Sequence, residues 1–205
     1  VASDTGTPRR CDSAAASGCV QDCPACLRLR AALRATLVNR SWHDLTPTAV
    51  ADTAGMAVSA FFAHYPSVAA CGAAALDEAA DECRAACELA YPAWRDCHER
   101  FLRMADAAVS WMAARPEMAR LLFVIPRQAY DPVLLAKVSA FKRALVSLFE
   151  QPGRCSPAGR THVEFVIGLF FQVVVREFAR GAEIDTLRLR VLTLAPFVET
   201  PTSDS

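Results

Sequence analysis

Nine cysteines and four histidines carry most of the chemical potential of this 205-residue chain. Cys11, Cys19, Cys23 and Cys26 gather near the start, and Cys23-Pro24-Ala25-Cys26 stands where a helix begins. A thiolate at a helix N-terminus is stabilised by the helix dipole, so this C-x-x-C suits redox or metal chemistry. Zinc wants four ligands, which these four cysteines can offer, but their C-x3-C-x2-C run matches no established zinc spacing. Cys71, Cys83, Cys87 and Cys97 lie on or after the fourth helix, with Cys83 and Cys87 sharing a face at i, i+4. Buried cysteines are commonly just small core residues, and that is the plain reading of this second group. The odd count argues against a fully paired secreted framework, so reduced thiols and no resident metal or cofactor are expected.

Other chemistry is sparse. There is no Ser/His/Asp set, no HExxH and no glycine-rich phosphate loop, so no enzyme is expected. The paired acids Asp77-Glu78 and Asp81-Glu82 read as a solvated helix face. Trp94, His98, Phe101, Met104, Trp111, Phe123, Tyr130, Phe141 and Phe165 are the candidate lining of an apolar pocket, although most such residues are ordinary core. Net charge is zero, so the overall balance gives no support for nucleic acid, and charge must be read locally.

The elements that must position these groups are helical. Hydrophobic residues make up 53% of the chain and alanine is the commonest type, a composition that favours helix. Residues 1–22 read as a polar arm and 200–205 as a tail. The polar start suggests no secretory leader, and no apolar run reaches the roughly 18–20 residues needed to cross a membrane. A cytoplasmic protein is expected. Leu29, Leu33 and Leu37 mark a first helix from Pro24, where proline suits the opening turn. Three short elements follow between Thr46 and Tyr65, broken by Gly55, and then a long helix from Pro66 to Ala90. Trp94, Cys97, Phe101, Met104, Ala108 and Trp111 stripe the next, from Pro92 to Ala114. A short element from Pro116 is stopped at Pro126. Asp131 and Pro132 open a helix carrying Leu134, Val138, Phe141, Leu145 and Leu148 on one face. Residues 151–160 read as a loop; Thr161–Arg180, apolar nearly all round, is a helix ended by Gly181. Asp185–Val198 closes an all-α chain.

The stretch Val50-Ala51-Asp52-Thr53-Ala54-Gly55 through Phe61, His64, Tyr65, Pro66 and Ser67 resembles the helix-turn-helix of the TetR family, I-A-x-x-A-G-V-S-x-x-x-x-Y-x-H-F-x-S-K. Leu45-Thr46 fall where that family opens its second helix, and Trp42 at its aromatic position after the first. Small residues let two short helices cross closely, and the glycine supplies the turn. The resemblance implies a helix-turn-helix head over 23–66 and a helical ligand-binding and dimerisation domain over 67–199. It further implies a ligand-responsive regulator, a repressor by expectation, binding operator DNA as a homodimer. The second helix, about Val58 to Tyr65, would enter the major groove. Arg28, Arg34, Arg40, Thr46, Thr48, Val58, Ser59, His64 and Tyr65 are the candidate DNA contacts. A small apolar or amphipathic ligand would bind in the body. The dimer would form through the last two helices, 157–180 and 183–198, using Phe165, Gly168, Leu169, Phe171, Val175, Leu187, Val191 and Leu194.

One departure matters. Between Arg40 and Arg84 there is no Lys or Arg, and basic side chains supply most non-specific DNA affinity. The family's phosphate-contacting Tyr is Phe62 here, its Lys opening the fourth helix is Val68, and its Ser before the recognition helix is Ala57. The alternative is thus a TetR-like protein without DNA binding, serving as a ligand- or protein-binding module or a thiol or metal sensor.

Overall fold

Alanine- and leucine-rich segments are helical throughout the computed structural model, which describes residues 23–90, 97–149 and 157–194. Two compact units divide inside one helix, between Ala75 and Leu76. The first unit holds α1 (Pro24–Asn39), a 3-10 turn (Trp42–Asp44), α2 (Pro47–Thr53), α3 (Val58–His64) and the start of α4 (Val68–Leu89). Leu29, Leu33 and Leu37 line the buried face of α1, as their spacing predicts. Between Thr46 and Tyr65 there are two helices where three elements were expected. Thr46 caps α2 by accepting from Ala49 N–H at 3.1 Å, and Pro47 follows at the first position.

The turn between α2 and α3 is decided by Gly55. Its φ of 63° is left-handed, its N–H donates to Asp52 O at 3.0 Å, and Met56 N–H donates to Ala51 O at 2.9 Å. This pair of hydrogen bonds closes the last carbonyls of α2 as a Schellman cap, a place where a Cβ is strained. Arg28 reaches across from α1 and donates to Ala54 O at 2.6 Å, adding a cation at the same helix end. Val50, Ala51, Phe61 and Tyr65 are buried beneath this crossing.

Gly72 is a second constrained position, for a different reason. A Cβ there would stand 2.4 Å from Cη2 of Trp42, so the indole lies directly on the α4 backbone.

The second unit holds the rest of α4 with α5 (Cys97–Ala114), α6 (Pro116–Phe123), α7 (Ile125–Ala129), α8 (Pro132–Ser147), α9 (Pro157–Ala179) and α10 (Ile184–Leu192). The short element from Pro116 ends at Phe123, ahead of Pro126, which itself sits in the first turn of a further helix, α7, where a missing N–H costs nothing. Asp131 caps α8, accepting from Val133 and Leu134 N–H at 2.8 and 3.2 Å. Helix α9 starts at Pro157, inside the stretch expected to be loop. It ends as predicted at Gly181, and its last turn is closed by Ala182 N–H donating to Glu177 O at 3.0 Å.

Phe171 of α9 is 1% exposed and lies among Phe123 (5.0 Å between centroids), Phe141 (5.8 Å) and Phe170 (5.9 Å). Such tilted and edge-to-face pairs add about 0.5–1.5 kcal/mol each beyond burial. The neighbouring joint is ionic. Glu177, 2% exposed, faces Arg176, Arg180 and Arg190 at 3.2, 3.5 and 3.3 Å, which ties the end of α9 to α10. The acids of α4 are not simply a solvated face: Asp77 pairs with Lys137 of α8 at 2.6 Å, and Glu82 accepts from Arg115 at 3.4 Å and from the Trp111 indole at 3.5 Å.

Two substitutions test these joints. Gly72→Ala gains about 1 kcal/mol of helix propensity but overpacks the indole at a cost of about 1–3 kcal/mol. A net loss is expected in urea unfolding, and it should vanish or reverse in a Trp42→Leu background. Glu177→Gln leaves three half-exposed arginines that water can solvate, so about 1–3 kcal/mol should be lost rather than the full penalty of an orphaned buried charge. The same unfolding measurement reads it.

Candidate nucleic-acid interface and thiol–imidazole cluster

The first unit sorts the expected DNA contacts into three groups. Arg40, Thr46, Thr48 and Ser59 are exposed, while Arg34 and Val58 are half-buried. Arg28 is exposed but spends its guanidinium on the α2 C-terminus. Tyr65 is turned inward: its ring packs against Phe61 at 6.1 Å, and its hydroxyl accepts from the buried Arg30 at 3.2 Å. A side chain 4% exposed supports α3 from behind and cannot reach a groove, so Tyr65 leaves the contact set. Burial also drives its phenol pKa upward.

The exposed face of α3 is Ser59, Phe62 and Ala63, with Phe62 54% exposed. Phe62 had been noted only for the hydroxyl it lacks; its i+3 spacing from Ser59 was the signal that both share one face. Ala57 opens α3 with no side-chain cap. Residues 23–75 carry four arginines, all on or just after α1, against Asp44 and Asp52, both exposed.

His64 is not on that face. It closes α3 half-buried, with Nδ1 3.5 Å from Sγ of Cys26 and 3.9 Å from Sγ of Cys23. Cys23 is the N-cap of α1 and Cys26 lies in its first turn. These three donor atoms all lie within 4.8 Å of one another. The Cys26 backbone N–H holds the Cys23 thiol below the usual range, whereas burial raises that of Cys26. Cys11 and Cys19 lie outside the described residues. Cys71, Cys83 and Cys87 are buried, and burial pushes the Cys71 thiol up to about 12. The contact with Cys87, together with burial, likewise raises Cys83. All three behave as small apolar residues of the core.

In the second unit an apolar pocket is lined by Cys87, Phe101, Met104, Ala105, Ala108, Leu145, Phe149, Ile167 and Phe170. Its volume is about 30 Å³, against the roughly 300–1,000 Å³ of ordinary ligand pockets. Of the expected lining, Phe101 and Met104 are present. Trp111, Phe123 and Phe141 are buried elsewhere, the two phenylalanines in the cluster around Phe171. Tyr130 is 83% exposed, left-handed at φ 50° in the corner between α7 and α8, and Phe165 is 58% exposed. Trp94 and the His98 side chain lie outside the described residues.

The expected dimer residues also divide. Phe171, Leu187, Val191 and Leu194 are buried within this unit and present nothing outward. Phe165 is exposed, Leu169 and Val175 are half-buried, and nothing stands within 4 Å of a Cβ built on Gly168. Phe165 and Leu169 run with Gln172 and Arg176 at i, i+4, i+7 and i+11 along one side of α9. No described helix is long and apolar enough to cross a membrane.

No protein-family model and no curated protein matches the sequence. Solved structures do match. One is the multidrug binding protein EbrR complexed with imidazole, 16% identical, with a TM-score of 0.67 over 88% of this chain and 98% of that one. Another is the fatty acid degradation regulator FadR from Bacillus halodurans, 13% identical, TM-score 0.69, over 84% and 94%. A third is a TetR-family transcriptional regulator from Rhodococcus sp., 16% identical, TM-score 0.69, over 85% and 98%. All-helical among its described residues, with a helix-turn-helix followed by a helical body, the chain has the fold of the TetR-like regulators.

Proposed function

We propose that this protein is a TetR-like, ligand-responsive transcriptional regulator, a repressor, that binds operator DNA as a homodimer. The observation that carries this reading is the α2–turn–α3 pair, closed by the left-handed Gly55 and presenting Ser59, Phe62 and Ala63 outward. A short helix held this way is the shape that enters a major groove. Ser59 can hydrogen-bond a base edge, and Phe62 and Ala63 can meet thymine methyls. Phosphate neutralisation falls to the arginines of the first helix, Arg40 foremost, because the arginine-free stretch after it supplies none. A small apolar ligand enters the body at the Phe101–Met104 pocket, which must widen to hold it. EbrR, of the same fold, is described as a multidrug binding protein. Ligand binding there changes the separation or order of the two heads, which is the coupling a regulator needs.

A second reading has its own observation. Asp44 and Asp52 are exposed on a head that has no Lys or Arg from 41 to 75, and this charge pattern repels phosphate. In that reading the head is a protein-contact or sensing surface and DNA binding has been lost.

DNA from upstream of its own coding sequence separates the two. The regulator binds it selectively, with affinity falling steeply between about 50 and 200 mM salt, and Arg40→Ala lowers the salt slope by about 1. No binding at low salt by a folded dimer establishes the second reading. For the dimer, α9 offers Phe165 and the open Gly168, so Phe165→Glu should yield a monomer in sedimentation velocity with unchanged helix content. A chain that is monomeric before the substitution, or dimeric after it, removes α9 from the interface.

A further inference from the structure

Cys23, Cys26 and His64 come together from two helices far apart in sequence. The first two are the N-cap and third helical position of α1, the spacing at which capping side chains face each other. The third is the last residue of α3. With zinc–sulfur bonds of about 2.3 Å and zinc–nitrogen bonds of about 2.0–2.1 Å, donors on a tetrahedral ion stand about 3.6–3.8 Å apart. His64 Nδ1 lies 3.5 and 3.9 Å from the two sulfurs, and all three donor atoms fall within 4.8 Å of one another, close enough for one ion to draw them together.

We propose that Cys23, Cys26 and His64 bind a divalent cation of zinc's chemical class, which staples the end of α3 to the start of α1. Two sulfurs and one imidazole select against magnesium and calcium, which take oxygen donors. Cys23 and His64 are half-buried while Cys26 is fully buried, so one side of the cluster is closed by protein and the other opens to solvent. That open side is the entry path and the place of a fourth ligand, water in the simplest case. Binding takes two thiolates and the Nδ1 lone pair, and the two thiol protons pass to solvent. An apolar packing role explains Cys26 but not a half-buried imidazole and a second thiol aimed at the same point.

The staple would act on α3 itself. His64 follows directly on Phe62 and Ala63, so an ion there restrains the short helix whose outward face those residues form. The site goes beyond the regulator reading and does not depend on it, because its readout is the ion and not DNA.

The test uses the full chain, reduced and freed of metal, titrated with cobalt(II) and then zinc(II). One cobalt per chain is expected, with thiolate-to-cobalt charge-transfer absorption and the strong visible bands of a tetrahedral centre, displaced by zinc. Cys23→Ser and His64→Gln, both at half-buried positions and checked for folding by circular dichroism, should each weaken binding at least about tenfold. The buried pair Cys83→Ala/Cys87→Ala should leave it unchanged. Absence of the absorption after full reduction overturns the proposal. Cobalt affinity that is unchanged in His64→Gln also overturns it, since the ion would then sit on thiolates alone.

Discussion

Helix α9 is apolar on nearly every side, and a helix of that kind must be covered from several directions at once. Phe171 shows what this demands. One ring at 1% exposure draws Phe123 from α6, Phe141 from α8 and its own neighbour Phe170 into a single aromatic cluster. Helix α10 then closes a further side through Leu187 and Val191, and Glu177 ties its Arg190 to the end of α9. The remaining stripe, with Phe165 and Gly168, is the part that this unit does not cover. The positions of the body helices follow from the need to bury that one helix.

The head depends on a close crossing of a different kind. Short helices of seven residues are marginal alone and persist because tertiary packing holds them. Here the crossing is held by small residues, by the Gly55 cap with Arg28 upon it, and by Arg30 bonding the Tyr65 hydroxyl beneath α3. Arg28 and Arg30 are thus committed within the protein, one to a helix end and one to a buried phenol. What α3 offers outward, Phe62 and Ala63, is apolar apart from Ser59.

Much of this was legible in the residues. Leu29, Leu33 and Leu37, the Asp131-Pro132 cap, and the glycines at 55 and 181 each announce local structure, because capping and periodicity act within one or two turns. Cys71, Cys83 and Cys87 were also legible, since small apolar-looking residues on an Ala-rich helix are most simply core; the side chain of Cys97, read the same way, lies outside the described residues. What failed was local as well. Pro126 reads only as a stop, and the helix it opens after that stop was missed, because proline is equally suited to a first turn. Residues 157–160 read as loop and are helical.

Side-chain partners were not legible, because nothing local encodes them. His64 and Tyr65 are adjacent in sequence and stand in a DNA-contact motif, yet one points to two sulfurs and the other to a buried guanidinium. Phe171 and Phe165 both look like interface residues on one helix, and only the cluster around Phe171 separates the buried ring from the exposed one. The sequence by itself determined the helices, their caps and the head-then-body order, because these rest on short-range hydrogen bonding and period. The meeting of Cys23 and Cys26 with His64, and the choice of which apolar residues face outward, was decided by tertiary structure alone. Contacts between residues distant in the chain depend on where whole helices pack, and no window of the sequence contains that distance.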